Sequence, residues 1–258
     1  MIHINDSELI SIIMPAYNSA NHIKQAINSV LDQSYKHWEL IVIDDGSRDS
    51  TKSVIELEEK KDPRIRLYVN SNNKGVSETR NKGVNLAKGK WIAFLDSDDM
   101  WHPEKLEQQL KLAYHKGAQF IFTGASYIDV NGKAFSGVFN VPAMVNYDDL
   151  KKHNVISCSS VLIEKELMNH VKMEGDEMHE DYAAWLKILK MGVCAYGINQ
   201  PLLIYRISSE SKSGNKIKSI KMTYNVFRFL KNSPIISIFY TISHTMAAYK
   251  KYKKINMI

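Results

Sequence analysis

From residue 9 to about residue 116, short apolar runs alternate with amphipathic stretches at helical spacing, and this alternation is what most restricts the possible folds. Residues 9–15 (LISIIMP) are continuously apolar, as a strand buried on both faces must be. Residues 20–33 set Ile23, Ile27, Val30 and Leu31 at helical spacing, with Ser19 or Asn21 available as a cap. HWELIVIDD (37–45) predicts a second strand, residues 50–61 a helix, and RIRLYVN (64–70) a third strand. A helix over 76–87 ended by Gly89, the strand WIAFLD (91–96) and a helix after Pro103 complete the series. The order implies an α/β fold with a doubly wound, mainly parallel central sheet. Ligands of such sheets bind beyond the carboxyl ends of the strands. Those ends carry Tyr17 and Asn18, Asp44 and Asp45, and Asp96 with Asp98 and Asp99.

The second half is less regular. QFIFTGASYID (119–129) reads as a strand, Asn131-Gly132 as a hairpin turn, and SCSSVLI (157–163) as another buried strand. Residues 181–191, with Ala184, Trp185, Ile188 and Leu189 on one face, form an amphipathic helix ended by Gly192, and VCAYGI (193–198) reads as the last strand of the body. Trp185 belongs with that apolar face as a core residue.

With 258 residues, 44% hydrophobic and 24% charged, the chain can bury a stable core of its own. Its two cysteines, Cys158 and Cys194, sit in apolar segments without CxxC spacing and read as buried free thiols of a reducing cytosol. The first residues lack a basic and apolar leader, so no secretion signal is expected. No apolar run approaches the ~18 residues that a spanning helix requires.

The net charge of +6 conceals an asymmetry. From Lys212 onward there are ten Lys/Arg and no acid, which leaves 24 basic against 28 acidic groups in the preceding 211 residues. The expected division is therefore a body over 1–211 and a basic C-terminal appendage of two amphipathic helices over 212–258, interrupted at Pro234. In the first helix Ile217, Ile220, Tyr224 and Phe227 recur on one side, with Lys218, Lys221, Asn225, Arg228 and Asn232 as a polar stripe. A wholly basic tail calls for an anionic partner. Interleaved Phe, Tyr, Ile and Met favour a cytoplasmic membrane leaflet over nucleic acid, with packing of both helices on the body as the alternative.

Asp96-Ser97-Asp98 forms a DxD element at a strand terminus. Two carboxylates so spaced share a hard divalent cation, which takes oxygen donors and completes its shell with water and phosphate. Alone, DxD is a weak signal, and Asp-Gly in the DDGS at 44–47 is ordinary turn chemistry. In register the motifs are specific. IIMPAYN (12–18), ELIVIDDGS (39–47), NKGVSETRNKG (73–83), GKWIAFLDSDDMWHPEKL (89–106), HEDYAAWLKILKMG (179–192) and QPLLIYRISSESKS (200–213) together resemble the family 2 glycosyltransferases over about residues 8–213. Within that family the chain resembles enzymes of bacterial surface polysaccharides of the teichuronic-acid, O-antigen and capsule types.

The resemblance implies a GT-A fold and an inverting, metal-dependent transfer from a UDP-sugar to a saccharide acceptor on polyprenyl diphosphate, at the inner face of the cell membrane. It places Pro15, Tyr17 and Asp45 around the uridine base with Asp44 supporting, and Arg80 near the diphosphate. Asp96 becomes the ribose-facing acid, Ser97 the middle of the DxD, and Asp98, with Asp96 beside it, the ligand of Mn²⁺ or Mg²⁺. Asp181 becomes the catalytic base, and Arg206 and Ser213 lie in a loop that closes over the diphosphate. Relatives often carry a histidine after that Tyr-Arg; Ile207-Ser208 follow here, so no second metal ligand is expected. On the acceptor side stand Trp101, as a sugar platform or a packing residue, His179, as an acceptor contact or a surface histidine, and Glu180, as a local hydrogen-bonding partner. Asp181 at a helix start faces the positive end of a dipole, which favours its ionised form.

Two other classes remain open. A nucleotidyltransferase would want a Gly-rich, basic loop after the first strand, and PAYNSANHI has neither glycine nor arginine. A nucleotide-binding membrane scaffold would have no need of an acceptor-side base.

Overall fold

The computed structural model describes residues 8–208 and 216–254. In chain order the strands are β1 Ile10–Ala16, β2 Trp38–Asp44, β3 Ile65–Val69, β4 Trp91–Phe94, β5 Met100–Trp101, β6 Phe120–Ile128, β7 Ala134–Phe139, β8 Met144–Val145, β9 Leu162–Glu164 and β10 Ala195–Arg206. The helices are α1 Ile23–Leu31, α2 Thr51–Glu59, α3 Val76–Leu86, α4 Lys105–Lys116, α5 Tyr147–Lys152, α6 Lys165–His170, α7 Glu180–Lys190, α8 Lys216–Phe229 and α9 Pro234–Lys254.

The strands form one mixed sheet in the order β3-β2-β1-β4-β9-β6-β10-β5, with β7 on β6 and β8 on β10. β1, β2, β3 and β4 run parallel, and so do β6 and β10. Between these two parallel groups lies the short β9, antiparallel to both β4 and β6, so the groups point the same way. All their carboxyl ends therefore open on one edge. That geometry places Arg206, at the end of β10, on the same edge as Asp44 and the residues after β4.

Alternation along the strands separates two cores. Ile12 and Met14 of β1 face α1, α2 and α4, while Ile13 faces the side carrying α3, α6, α7 and α8. The resulting three layers, helices on sheet on helices, bury the continuous apolar runs on both faces. Trp185 of α7 is fully buried, its ring centroid 6.1 Å from Phe94 and 5.1 Å from Phe120. α8 docks on the same core through Val226 and Phe227, and Phe227 meets Tyr182 edge-on at 6.0 Å.

Several local expectations shift. α1 takes its first turn from the Ser19 carbonyl with His22 at the cap position, without a side-chain cap from Ser19 or Asn21. Of residues 157–163, Cys158–Ser160 is a single 3₁₀ turn and only Leu162 and Ile163 become strand, as the start of β9. β10 runs well past residue 198 and absorbs the segment expected as a loop, with a register shift between Ile198 and Leu203 around Pro201. Cys194 is half-buried rather than buried, and neither cysteine is in a disulfide.

α3 lies unusually close to β1. A Cβ built on Gly83 would sit 2.4 Å from Cγ2 of Ile13, a buried branched side chain with nowhere to move. Gly→Ala in a helix interior ordinarily stabilises by about 0.5–1 kcal/mol. Here overpacking, typically about 1–3 kcal/mol, opposes it and wins. Gly83→Ala should lower the unfolding free energy by roughly 1–2 kcal/mol, read from the urea midpoint at unchanged slope; a stabilised variant would contradict the close approach.

Candidate active site

Each strand end contributes one part of the carboxyl edge. After β2, Asp44 accepts from the Ser47 amide (3.2 Å), and Asp45 is buried among donors. Its carboxylate accepts from Asn70 Nδ2 (2.7 Å) and from the amides of Lys74 (2.9 Å) and Gly75 (2.9 Å). Gly75, at φ +87°, has no room for a side chain, since a Cβ would lie 1.7 Å from Oδ2 of Asp176. Asp176 in turn caps the start of α3, accepting from the amide (3.1 Å) and hydroxyl (2.6 Å) of Ser77. The loop that grips Asp45 is thus clamped to the loop leading into α7.

After β1, Pro15 is half-buried and Tyr17 is 45% exposed at the mouth of the edge. Asn18 adopts φ 49°, and its amide and side chain tie to Ser47 Oγ and the Arg48 amide (2.9 Å each). Ser19 and Ser97 share a hydroxyl hydrogen bond of 2.7 Å. Tyr17, Asn18, Ser19, His22, Ser97, Asp98 and Ser208 line a cleft of about 250 Å³. Burial, reinforced by the Arg206 charge, holds the His22 imidazole below its ordinary pKa. A larger depression lined by Lys88, Lys90, Glu164 and Lys165 lies at the opposite, amino end of β4. There Lys90 is paired with Glu8 and Glu164, and no catalytic geometry is gathered.

Arg80 sits beneath the cleft, with only 4% of its side chain exposed. Its Nη1 donates to Oε1 of Glu180 (2.6 Å) and its Nη2 to Oδ1 of Asp96 (2.5 Å), while Nε has no partner. The guanidinium is therefore committed to two carboxylates from opposite halves of the chain. Arg206 is equally committed, at 2% exposure. It donates to the Asp98 carbonyl (2.9 Å), to the Asp129 carbonyl (3.2 Å) and to Gln25 Oε1 (2.6 Å), and its amide donates to buried Asp99 (2.9 Å). Neither arginine presents a free fork to the cleft; both hold the acidic loop in place. Ser213 lies outside the described residues.

The Asp98 carboxyl is pushed up to about 6, by burial first and by neighbouring Asp96 second, with Arg206 and Arg80 opposing. Two carboxylates crowded together, of which Asp96 alone is paired with an arginine side chain, are a suitable place for a hard cation. The fit is partial: among the described residues no three ligating side chains gather, so phosphate oxygens and water would complete such a shell.

Asp181 lies in the first turn of α7, partly open to solvent, and accepts from the Tyr182 amide (2.8 Å). Its carboxyl is also pushed up to about 6, chiefly by burial and next by Glu180, with Arg80 opposing. The helix dipole expected to favour ionisation is outweighed. Glu180 is buried on Arg80, turned away from any role as a free carboxylate. His179 is half-buried, its Nε2 at 3.2 Å from Ser219 Oγ of α8. Trp101 is 2% exposed, donates from Nε1 to the Ser159 carbonyl (2.7 Å) and covers the buried Lys105 ammonium at 4.0 Å. Its ring lies within the wall of the site, and Ser159 also receives the Asp96 amide (3.1 Å).

Sequence reasoning missed His22, Asp176 and Ser159. His22 alone had a readable signal, as the histidine four residues after the first strand-end Asn18.

A doubly wound sheet of this order with its acids on one edge has the GT-A glycosyltransferase fold. It superposes on residues 1–349 of S. aureus TarS in complex with UDP-GlcNAc at a TM-score of 0.70 and 20% identity, covering 86% of this chain and 65% of that one. The mannosyltransferase PcManGT of Pyrobaculum calidifontis, in complex with GDP-Man and Mn²⁺, also gives 0.70, at 16% identity over 92% of this chain and 69% of that one. Residues 11–163 match glycosyl transferase family 2, and the chain belongs to that family. TuaG of Bacillus subtilis, named for teichuronic acid biosynthesis, is 39% identical over 87% of this chain and 89% of its own length. The UDP-Glc:alpha-D-GlcNAc-diphosphoundecaprenol beta-1,3-glucosyltransferase WfgD of Escherichia coli is 36% identical over 96% of both chains. The protein is thus a glycosyltransferase with relatives in bacterial surface polysaccharide synthesis.

Removing one partner of a buried ion pair typically costs about 3–5 kcal/mol, because the other charge stays buried. Arg80→Leu should lose stability on that scale in chemical denaturation, while Glu180→Gln, which keeps an acceptor for Nη1, should lose less than half as much. Equal losses would mean that the guanidinium is not held in common.

Proposed function

We propose that the protein moves a sugar from a UDP donor, with inversion, onto a saccharide carried on polyprenyl diphosphate at the inner face of the cell membrane. One observation carries this reading: a single buried arginine binds Asp96 of the Asp96–Asp98 pair on one side and Glu180, the chain neighbour of Asp181, on the other. The names of WfgD and WfaP, with UDP-Glc as donor and a diphosphoundecaprenol-linked acceptor, support donor and acceptor class. TarS with UDP-GlcNAc and PcManGT with GDP-Man and Mn²⁺ support a nucleotide-sugar site and a divalent cation. A UDP-hexose is the favoured donor.

In this reading Pro15, Tyr17 and Asp45, with Asp44 behind, form the base subsite, and Asp96 faces the ribose. Asp98, with Asp96, would hold Mn²⁺ or Mg²⁺, which supplies positive charge against the departing diphosphate. Asp181 accepts the proton of the acceptor hydroxyl as its oxygen bonds to the anomeric carbon. The bond from that carbon to the diphosphate oxygen breaks, and its electron pair leaves with UDP. Attack and departure on opposite faces invert the configuration, with no covalent enzyme intermediate. Arg80 and Arg206 act through the carboxylate and carbonyl groups they hold, as positioning residues. His179 flanks the base on the acceptor side.

Asp181→Asn should leave UDP binding within a few-fold of wild type and lower turnover at least ~10²-fold. The working form of Asp181 is the carboxylate, and its carboxyl is pushed up to about 6. Turnover of the native enzyme should therefore be level above that pH and fall about tenfold per unit below it. A flat profile down to pH 5, or a variant within a few-fold of wild type, would remove Asp181 from the reaction.

Activity should vanish on exhaustive chelation and return with Mn²⁺ or Mg²⁺, and Asp98→Ala should weaken UDP binding only when metal is present. Analysis of the product should show the anomeric configuration opposite to the donor's; retention would rule out a single-base displacement.

A further inference from the structure

Among the described residues no helix is long and apolar enough to cross a membrane, yet α9 is built inside out. Its body-facing side carries small and polar groups: Ser237 and Thr241 are buried, and Tyr240, His244 and Thr245 are half-buried. The hydroxyls of Ser237, Thr241 and Thr245 are satisfied within the helix, each donating to the carbonyl four residues back at 2.9, 2.7 and 2.8 Å. Tyr240 stacks on Phe227 at 5.1 Å, His244 meets Tyr182 at 5.5 Å, and Ser243 donates to the Lys152 carbonyl at 3.0 Å. α9 is therefore seated on α5 and α8.

The opposite side carries the large apolar groups. Ile235 (80% exposed), Phe239 (65%), Ile242 (55%), Met246 (59%) and Tyr249 (58%) follow one another at steps of four and three residues. They form a single stripe along about 21 Å of helix. A helix that meets only water and its own core shows the reverse pattern, and a contiguous exposed apolar stripe marks an interaction surface.

Charge selects the occupant. From Lys212 to Ile258 there is no acidic residue. Exposed Lys216, Lys221 and Arg228 on α8, Lys231 after it, and Lys250 and Lys253 on α9 surround the stripe in sequence. Pairing with a second copy through this face would set two acid-free basic helices against each other, without the opposite charges that flank such seams. An anionic lipid surface satisfies both features, taking the apolar groups at the acyl boundary and the lysines at the headgroups. We propose that α9 is a membrane-seating helix that lies in the plane of an anionic bilayer surface, with Ile235, Phe239, Ile242, Met246 and Tyr249 inserted.

The seat is joined to the site. α8 touches the base loop through the His179–Ser219 contact at 3.2 Å and through Asn225 Nδ2 donating to the Glu177 carbonyl at 3.1 Å. Docking α9 therefore fixes the height and tilt of Asp181 above the leaflet. This deepens the reading of a lipid-linked acceptor and rests on it for its purpose, but the binding itself is measurable without any acceptor.

The test uses the full chain with phosphatidylcholine vesicles, either pure or containing about a third phosphatidylglycerol. The protein should cosediment with the anionic vesicles only, less so as salt rises. The triple variant Ile235→Ser, Phe239→Ser, Met246→Ser should keep its melting temperature, and its vesicle partition should drop at least ~tenfold. Calorimetric UDP binding on the same samples separates the two readings, since it reports on the nucleotide site and should not change. No cosedimentation by the native chain, or undiminished binding by the variant, would overturn the proposal. So would a concentration-dependent dimer in sedimentation velocity that the variant abolishes, which would assign the stripe to a second copy.

Discussion

A guanidinium cannot shed its proton inside a protein, so a buried arginine dictates the placement of everything around it. Arg80 exerts that constraint here. Its two terminal nitrogens are matched by Asp96, just beyond β4, and by Glu180, one hundred residues further along the chain than Arg80. Without the shared cation, Asp96, Glu180 and Asp181 would gather like charges in a space with little solvent. With it, the loop after β4 and the start of α7 are held at a fixed separation. The depth of Arg80 is set by the contact of Gly83 with Ile13, one turn further along α3. Strand packing, helix depth and carboxylate spacing are consecutive steps of a single restraint.

Two further restraints act on backbone rather than on carboxylates. The Gly75 loop is pinned between Asp45 and Asp176, and Arg206 grips the Asp98 carbonyl while its amide meets Asp99. Holding the main chain of the DxD fixes its loop and leaves the Asp98 carboxylate to the cleft. The local field then does the tuning. Asp98 and Asp181 are raised by the same cause, burial beside a like charge, and Arg80 opposes the rise at both. One arginine thus keeps both acids from rising further.

The first half of the fold was legible because its signals are local. A strand buried on both faces must be a continuous apolar run, and the acids at its end follow it directly in sequence. The short strands left no such trace. Two residues at 100–101 or three at 162–164 have no period to read, and their partners lie far off in the chain. β10 extends beyond the expected 193–198 because a register shift between Ile198 and Leu203 accommodates Pro201 within the strand, and such a shift has no signature in the local sequence. In the site, motifs located Arg80, Arg206 and Trp101 along the chain but not in depth. All three are walls and braces rather than surfaces. Asp176 was invisible as one acid among several in EGDE, because its meaning lies in Ser77, 99 residues away.

The tail separates the two kinds of information most clearly. Its charge is a bulk property and was plain from composition, but which face of α8 is buried was not, since apolar residues occur on more than one side. The expected stripe began at Ile217 and Ile220, yet those remain exposed and Met222, Val226 and Phe227 go inward. α8 therefore belongs to the core, so cutting the chain before it would uncover Tyr182 and α7 instead of merely detaching a tail. α9 obeys the opposite rule, with hydroxyls satisfied by its own backbone on the inside and Ile, Phe and Met outside. A helix can bury such a face cheaply, because no unsatisfied polar group is left behind. The large apolar side chains are thereby released to the surface, where the protein's own core gains nothing from them.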